Sequence, residues 1–299
     1  MELRIAGLSK RYPGGVQALR DVTLKIPAGM FGLLGPNGAG KSTLMRILAT
    51  LQEADAGTAT LDGIDVLRDK EAVRRVLGYL PQEFGLYPKV TAVELLDHLA
   101  QLKGVASSAD RRRMVDTLLE RTNLAEARRR RLGTFSGGMK QRFGIAQALL
   151  QDPKLIIVDE PTAGLDPEER VRFHNLLSEI GEQVVVILST HIVSDVSDLC
   201  QRMAVIDQGE LLVEGEPAEL AGALQGRVWQ KLTSRAELAD HQSRFQVLSA
   251  RLTGGRTLLR LLSEHQPDRD SEPVQPEVED VYFAAIRQHA SGPPAARVG

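Results

Sequence analysis

One stretch of eight residues carries the clearest chemistry in the sequence. Residues 35–42 read Gly-Pro-Asn-Gly-Ala-Gly-Lys-Ser and fit the pattern G-x-x-x-x-G-K-[ST] at every specified position. Glycines let such a loop turn its backbone N–H groups inward, where they bind phosphate oxygens at the start of a helix. Lys41 adds a positive charge for the outer phosphates, and Ser42 offers a hydroxyl to Mg²⁺. The stretch predicts a nucleoside triphosphate site.

Two adjacent carboxylates follow an apolar run elsewhere in the chain. Residues 155–158 (Leu-Ile-Ile-Val) predict a buried strand, and Asp159 and Glu160 come at its end. Ligands bind at the carboxyl ends of strands in open α/β sheets, and crowded acids are costly unless a cation or catalysis requires them. Asp159 is suited to Mg²⁺, and Glu160 to orienting and deprotonating an attacking water.

Three other sites carry weaker signals when each is taken alone. Gln82 follows a predicted strand that ends at Pro81, and His191 follows a predicted strand over residues 184–190. Residues 136–138 (Ser-Gly-Gly) precede a helical pattern, with Ser136 as a plausible N-cap. A lone histidine at a strand end is more often a cap or surface residue than a catalytic group.

The elements that must position these residues can be predicted around the loop. Residues 30–34 favour a short buried strand before it, and residues 43–48 have helical apolar spacing after it. Two further strands, at 3–8 and 18–26, flank a turn that holds Tyr12. From the residues alone, Tyr12 is equally suited to covering a core edge and to stacking on an adenine ring.

A helical insertion is predicted between residues 82 and 132. Thr91 and Glu94 match a capping box, which starts a helix near residue 91. The insertion carries arginine runs at 111–113 and 128–131. We interpret these runs first as solvated faces and second as partner contacts.

Composition limits the class of protein. The chain has 299 residues, 42% of them hydrophobic, enough for one large domain or two ordinary ones. A net charge of −2 gives no overall attraction to nucleic acid or anionic membranes. Cys200 is the only cysteine, which excludes an internal disulfide and fits a reducing compartment; we expect a buried apolar role for it.

No targeting or membrane-spanning segment is predicted. The first five residues lack a basic region followed by an apolar stretch, and the apolar runs are far shorter than the roughly 20 residues of a membrane helix. We therefore expect a cytoplasmic location. If the function involves a membrane, another chain must span it.

Five motifs in this order resemble the ATPase subunits of ABC transporters. The phosphate loop alone fits many ATPases and GTPases, whereas Ser-Gly-Gly between Gln82 and the acidic strand separates this family from them. The resemblance covers residues 1–220. It implies an α/β P-loop NTPase fold: a RecA-like mixed sheet core, an antiparallel β subdomain and an inserted α-helical subdomain at about 88–145.

The resemblance also implies ATP and Mg²⁺ as ligands, and two subunits that enclose ATP head to tail. Each matching residue then receives a role. The residues that would contact ATP are Tyr12, Gly35, Pro36, Asn37, Gly38, Ala39, Gly40, Lys41, Ser42 and Thr43, and those that would contact Mg²⁺ are Ser42, Gln82 and Asp159. In catalysis, Glu160 would act as the base, His191 as the switch and Gln82 as the sensor of Mg²⁺ and the γ-phosphate. The ATP of the opposing subunit would be contacted by Ser136, Gly137 and Gly138, and Asp166 would lie in the loop that crosses to that subunit.

The chain departs from the family signature Leu-Ser-Gly-Gly-Gln at its outer positions. Phe135 and Met139 stand where the family has Leu and Gln. Because the Ser-Gly-Gly core is kept, we expect ATP binding and hydrolysis to persist, and the rate is left open.

Residues 221–299 are predicted to form a small α+β accessory domain. This part resembles the C-terminal extension of ATPases that pair with ABC-2 type export permeases; a packing or dimerisation module is the alternative. Its predicted elements are a hairpin of residues 247–253 and 256–261, a linker at 265–276, a short helix at 277–286 and a frayed tail at 291–299.

The sequence thus predicts an ATP-hydrolysing subunit, peripheral on the cytoplasmic face of the cell membrane, that powers export through a separate permease. We expect the partner ATPase to be a second copy of this chain, and residues 88–132 to touch the permease. One alternative, a soluble ABC-type ATPase acting on ribosomes or nucleic acid, is disfavoured by the single cassette and the lack of positive charge, so no nucleic-acid partner is expected. The other is an ATP-gated regulatory subunit with little turnover, which Glu160 and His191 argue against.

Overall fold

The protein is described by a computed structural model that covers all residues except 83, 84, 86, 163, 164, 182, 235 and 291–299. The predicted tail lies outside the described residues. The strands are β1 (Glu2–Arg11), β2 (Gln17–Pro27), β3 (Gly29–Leu34), β4 (Ala56–Leu61), β5 (Ile64–Asp65), β6 (Leu77–Leu80), β7 (Leu155–Asp159), β8 (Val185–Thr190), β9 (Arg202–Asp207), β10 (Glu210–Gly215), β11 (Val228–Thr233), β12 (Gln246–Thr253), β13 (Arg256–Leu262) and β14 (Glu272–Pro273). The helices are α1 (Lys41–Leu48), α2 (Lys70–Val76), α3 (Ala92–Leu102), α4 (Ser108–Arg121), α5 (Gly137–Ala148), α6 (Pro167–Gly181), α7 (Val193–Leu199), α8 (Pro217–Gly222), α9 (Leu238–Arg244) and α10 (Val278–Ala290).

A six-stranded mixed sheet lies at the centre, in the order β10-β9-β3-β8-β7-β6. Its strands are parallel from β9 to β6, and only β10 runs antiparallel to its neighbour. Strands β3, β7 and β8 are buried along their whole length, as parallel strands covered on both faces are. Their carboxyl ends therefore meet at one edge, where the phosphate loop, the two acids and His191 follow.

The two faces of this sheet belong to different hydrophobic cores. Met30 and Leu34 of β3 pack into the core that contains the helical insertion, whereas Phe31 and Leu33 pack towards α1. A second sheet, the antiparallel β2-β1-β4-β5, shares the α1 core. The predicted RecA-like sheet with an antiparallel β subdomain is confirmed.

The helical insertion contains α3 and α4 and leads into α5. The capping box at its start is confirmed: the Thr91 N–H donates to Glu94 Oε2 at 2.8 Å, and the Glu94 N–H donates to Thr91 Oγ1 at 3.4 Å. An antiparallel bridge between Thr91 and Arg131 closes the insertion at its base. Among the described residues, no helix is long and apolar enough to cross a membrane.

The C-terminal part forms a third, antiparallel sheet in the order β12-β13-β11-β14. The predicted hairpin is confirmed as β12 and β13. The linker prediction for 265–276 is partly wrong, because Glu272 and Pro273 pair with β11 as a two-residue edge strand, a position that tolerates proline. Helix α10 continues to Ala290, beyond its predicted end, and packs on α7, α8 and β12. The boundary that we predict at residue 220 falls inside α8.

Helix α10 is fixed to its sheet by a buried carboxylate. Asp280 is 1% exposed and accepts hydrogen bonds from Arg260 Nε at 2.7 Å, from Arg260 Nη2 at 2.6 Å and from the Glu277 N–H at 2.8 Å. Removing one partner of a buried ion pair leaves the other charge uncompensated, which costs far more than the loss of a surface pair.

Asp280→Ala is therefore expected to lower the free energy of unfolding of the C-terminal part by about 3–5 kcal/mol. The only tryptophan, Trp229, lies on β11, so urea unfolding followed by its fluorescence reports on this part. The neighbouring Glu279 pairs with the exposed Arg251, and Glu279→Ala serves as control with a loss below about 1 kcal/mol. Equal midpoints for the two variants would show that Asp280 does not anchor the helix.

Candidate active site

A cleft of about 540 Å³ opens at the carboxyl edge of the central sheet. It brings together the phosphate loop and seven residues that are distant from it in sequence. The lining residues are Tyr12, Val16, Gln17, Ala18, Pro36, Asn37, Gly38, Ala39, Gly40, Lys41, Ser42, Thr43, Gln82, Glu160 and His191.

The phosphate loop is shaped by close backbone contacts. Gly40 has φ +108°, and a Cβ there would lie 2.5 Å from the carbonyl oxygen of Ala18, so only glycine fits. Helix α1 begins directly after Gly40 and has no side-chain cap, which leaves its first N–H groups available to an anion. Lys41 donates to the carbonyl oxygens of Gly35 at 2.6 Å and Pro36 at 3.1 Å.

Lys41 is a buried cation with acidic neighbours. Its Nζ lies 3.7 Å from Glu160 Oε1, and both side chains are almost fully buried. Burial lowers the pKa of Lys41, and the charges of Glu160 and Asp159 oppose that shift. The cleft therefore places one buried positive charge where phosphate would bind.

Glu160 occupies a strained position between two strands. Its φ of +52° lies in the left-handed region, which is costly for a residue with a side chain. Its N–H donates to the carbonyl oxygen of Ser189 at 2.8 Å, which ties it to the end of β8. Its Oε2 lies 2.5 Å from Nδ1 of His191, whose side chain is half exposed. The structure thus brings Glu160 and His191 into direct contact.

Asp159 presents a buried oxygen without a partner. The residue is 4% exposed, and its Oδ1 has no hydrogen-bond partner among the described residues. Such an atom fits a cation site, because buried polar groups are otherwise paired. Within the described ranges no cluster of three or more His, Cys, Asp or Glu side chains could hold a metal. Mg²⁺ bound through one carboxylate, a hydroxyl and substrate phosphates needs no such cluster.

Tyr12 and Gln82 stand at the rim of the cleft. The Tyr12 hydroxyl lies 3.2 Å from Thr43 Oγ1 and donates to Gln52 Oε1 at 3.0 Å, which ties the turn to the phosphate loop. Tyr12 is half-buried, and Gln82 is exposed. Both side chains are placed where they could reach a bound nucleotide.

Residues 136–138 and Asp166 are not among the described residues that line this cleft. Ser136 caps α5 by accepting the Met139 N–H at 3.2 Å, and its surface is exposed. A Cβ on Gly138 would overlap the carboxylate of Glu169, whereas a Cβ on Gly137 would meet nothing within 4 Å. Exposed Asp166 accepts the Glu169 N–H at 2.9 Å.

The two departures from the family signature pack inward. Phe135 is 5% exposed and meets Phe143 edge to face, with ring centroids 6.3 Å apart. Met139 packs against the same core. Both side chains therefore contribute to the core packing of this region, whereas Ser136 and Gly137 are exposed.

Sequence reasoning missed a buried polar network behind the cleft, centred on Asp195 of α7. Asp195 is 0% exposed and accepts hydrogen bonds from Thr162 and Arg170. An acid between the apolar residues Val193 and Val196 was the only local signal for it.

Comparison with known proteins identifies the family. Residues 19–163 match the family described as ABC transporter. The daunorubicin/doxorubicin resistance ATP-binding protein DrrA of Streptomyces peucetius is 37% identical over 255 residues, which cover 84% of this chain and 75% of that protein. The probable multidrug ABC transporter ATP-binding protein YbhF of Escherichia coli is 40% identical over 228 residues, 75% of this chain; that match spans only 39% of the length of YbhF.

Solved structures agree with the sequence relatives. The ATP-binding cassette MJ0796, solved as a dimer in a post-hydrolysis state with ADP and Pi, has a TM-score of 0.65 at 28% identity and covers 72% of this chain and 98% of its own. An ATP-binding subunit of an ABC transporter has a TM-score of 0.66 at 30% identity and covers 75% and 93%. This chain therefore belongs to the ATP-binding proteins of the ABC transporter family.

Proposed function

We propose that the chain is the ATP-hydrolysing subunit of an ABC exporter and works on a separate permease at the cytoplasmic face of a membrane. The observation that carries the proposal is the buried contact of Glu160 with both Lys41 and His191 in the cleft of the phosphate loop. A carboxylate beside a phosphate-binding lysine is placed to orient and deprotonate a water that attacks a phosphate.

In the proposed reaction the chain positions ATP and the attacking water. The free N–H groups at the start of α1 and the Lys41 ammonium bind the phosphates, and Tyr12 packs on the adenine. Glu160 accepts a proton from the attacking water, and His191 holds the carboxylate through its 2.5 Å contact.

Ser42, Gln82 and Asp159 are the proposed Mg²⁺ ligands, directly or through water. When bound there, Mg²⁺ would supply positive charge to offset the negative charge that develops on the phosphate. The unpartnered, buried Oδ1 of Asp159 supports this assignment. It provides a full negative charge at the strand end next to the phosphate loop.

The active assembly proposed here is a dimer with ATP between the subunits. Ser136 and Gly137 are exposed and do not belong to the cleft of their own chain. An exposed, capped helix start with open space at Gly137 can accept a phosphate from a second subunit. The dimeric form of the MJ0796 cassette supports the proposal.

Export is proposed from the relatives. Their names include daunorubicin/doxorubicin resistance in Streptomyces peucetius and linearmycin resistance in Bacillus subtilis. The C-terminal α+β part, which resembles the extension of ABC-2 type exporters, points the same way. Residues 88–132 are the proposed permease contact, because their exposed helices stand apart from the cleft.

Glu160→Gln keeps the shape of the side chain and removes the base. ATP turnover is expected to fall at least about 100-fold, while an ATP-stabilised dimer remains detectable by light scattering. EDTA is expected to stop turnover of the wild type. Glu71→Gln on the exposed surface of α2 is the control and keeps wild-type turnover. Unchanged turnover in Glu160→Gln would remove the base assignment.

Mixing two inactive variants tests the shared site. Lys41→Ala damages the phosphate loop, and Gly137→Asp places a negative charge on the exposed signature, where a Cβ would meet no other described residue within 4 Å. A mixed dimer contains one intact site, so the mixture is expected to turn over ATP faster than either variant alone. Each variant must also melt near the wild-type temperature. A mixture as inactive as its parts would contradict the shared site.

Coexpression with polytopic permeases from adjacent reading frames tests the transport role. The chain is expected to copurify with one of them from detergent-solubilised membranes. Charge reversal of the exposed Arg112 and Arg129 is expected to weaken that capture while leaving the ATP cleft unchanged. Failure of every candidate permease to copurify would overturn the transport role.

A further inference from the structure

Glu169 joins the first turn of α6 to the signature segment, defined here as residues 136–138. Its carboxylate pairs with Arg142 of α5, and both side chains are largely buried, at 17% and 11% exposure. A Cβ on Gly138 would overlap the same carboxylate, so a larger residue there would displace Glu169. The start of α5 is therefore fixed against the start of α6.

Arg170, the next residue, joins the same turn to α7. Its Nε donates to Asp195 Oδ1 at 2.8 Å, and its Nη2 donates to Ser194 Oγ at 2.6 Å. His174, one turn further along α6, places Nε2 3.0 Å from Asp195 Oδ1. Burial acts to raise the pKa of Asp195, but hydrogen bonds from His174 and Thr162 and the charge of Arg170 outweigh it, and the pKa falls below its ordinary value.

Asp195 in turn holds both strand ends that carry the proposed catalytic pair. Thr162, two residues after Glu160, donates to Asp195 Oδ2 at 2.6 Å. Thr190, directly before His191, lies 3.5 Å from the same oxygen, and its Oγ1 also accepts the Ile192 N–H at 3.0 Å. A shift of α7 would therefore move Glu160 and His191 together.

We propose that Glu169 and Arg170 link the two ATP sites of the dimer through a single subunit. The inference rests on the proposed function: the signature segment contacts the partner's ATP, whereas Glu160 and His191 act on the subunit's own. Glu169 fixes the signature segment. Arg170 fixes Glu160 and His191 through Asp195. Glu169 and Arg170 are positioning residues, because neither is among the described residues that line the cleft.

The physical basis is a chain of charged contacts with little freedom. Two ion pairs, Arg142–Glu169 and Arg170–Asp195, are largely buried. They are joined because Glu169 and Arg170 are adjacent residues on one turn of α6. Breaking such a pair leaves an uncompensated charge, so the segments move together more readily than apart. Docking of the signature segment on one ATP is thereby transmitted to the catalytic residues of the other site.

Glu169→Ala tests the link, because it removes the pair with Arg142 and the contact with Gly138. The measurement is steady-state ATP turnover of the purified full chain against ATP concentration. The wild type is expected to show a Hill coefficient approaching about 2, the number of sites, and Glu169→Ala a coefficient near 1. Binding of a fluorescent ATP analogue to dilute chain is expected to keep its wild-type affinity, since the phosphate loop is intact.

Arg172→Ala is the matched control. Arg172 lies on the same turn and pairs with Glu168 and Glu169 at the surface, 51% exposed, without reaching α5 or α7. It is expected to keep wild-type cooperativity. If Glu169→Ala melts early, Arg142→Gln cuts the same pair from the other end and is expected to lower the coefficient equally.

Three results would count against the link, and they are distinguishable. Wild-type cooperativity in both Glu169→Ala and Arg142→Gln would overturn the coupling and leave the shared ATP site unaffected. An equal loss in Arg172→Ala would assign the effect to α6 in general and overturn it as well. A Hill coefficient of 1 in the wild type would overturn the coupling, whereas failure of the shared site would show separately as an inactive mixture of Lys41→Ala and Gly137→Asp.

Discussion

The site depends on one buried carboxylate held between two strand ends. Glu160 lies 3.7 Å from Lys41 and 2.5 Å from His191, and these three residues follow β7, β3 and β8. The strands are parallel neighbours, so their carboxyl ends must meet at one edge. A buried charge and a left-handed backbone at Glu160 both cost stability. The apolar strands of the central sheet, buried on both faces, offset that cost.

The same charges bear on the proposed ligands. The Lys41 ammonium contacts the carbonyl oxygen of Gly35 and the carboxylate of Glu160, whereas Asp159 Oδ1 has no partner among the described residues. Both groups suit the ligands proposed above, because phosphate oxygens would pair with the Lys41 ammonium and a cation with the Asp159 carboxylate.

Local chemistry was predictable from the sequence, and distant contacts were not. The phosphate loop, the acids after β7 and the cap at Thr91 are written in consecutive residues. The Asp195 network joins residues 25 and 33 positions apart, which leaves no periodic pattern. Strand β14 was missed because two residues carry no alternation, and β11 because Val228–Thr233 (Val-Trp-Gln-Lys-Leu-Thr) does not alternate strictly between apolar and polar residues.

The signature separates into a part fixed by this chain and a part left free. Phe135 packs edge to face on Phe143, and the Glu169 carboxylate lies close to Gly138. Contacts within one subunit therefore account for both residues. Ser136 and Gly137 are exposed, and a Cβ on Gly137 would meet none of the other described residues outside its own helix turn within 4 Å. Phe135 and Met139 both pack into the core, so the departures from the family pattern lie apart from this exposed surface. Together with the match to ABC transporter ATP-binding proteins, this favours a hydrolysing subunit over a regulatory module that closes on ATP without cleaving it.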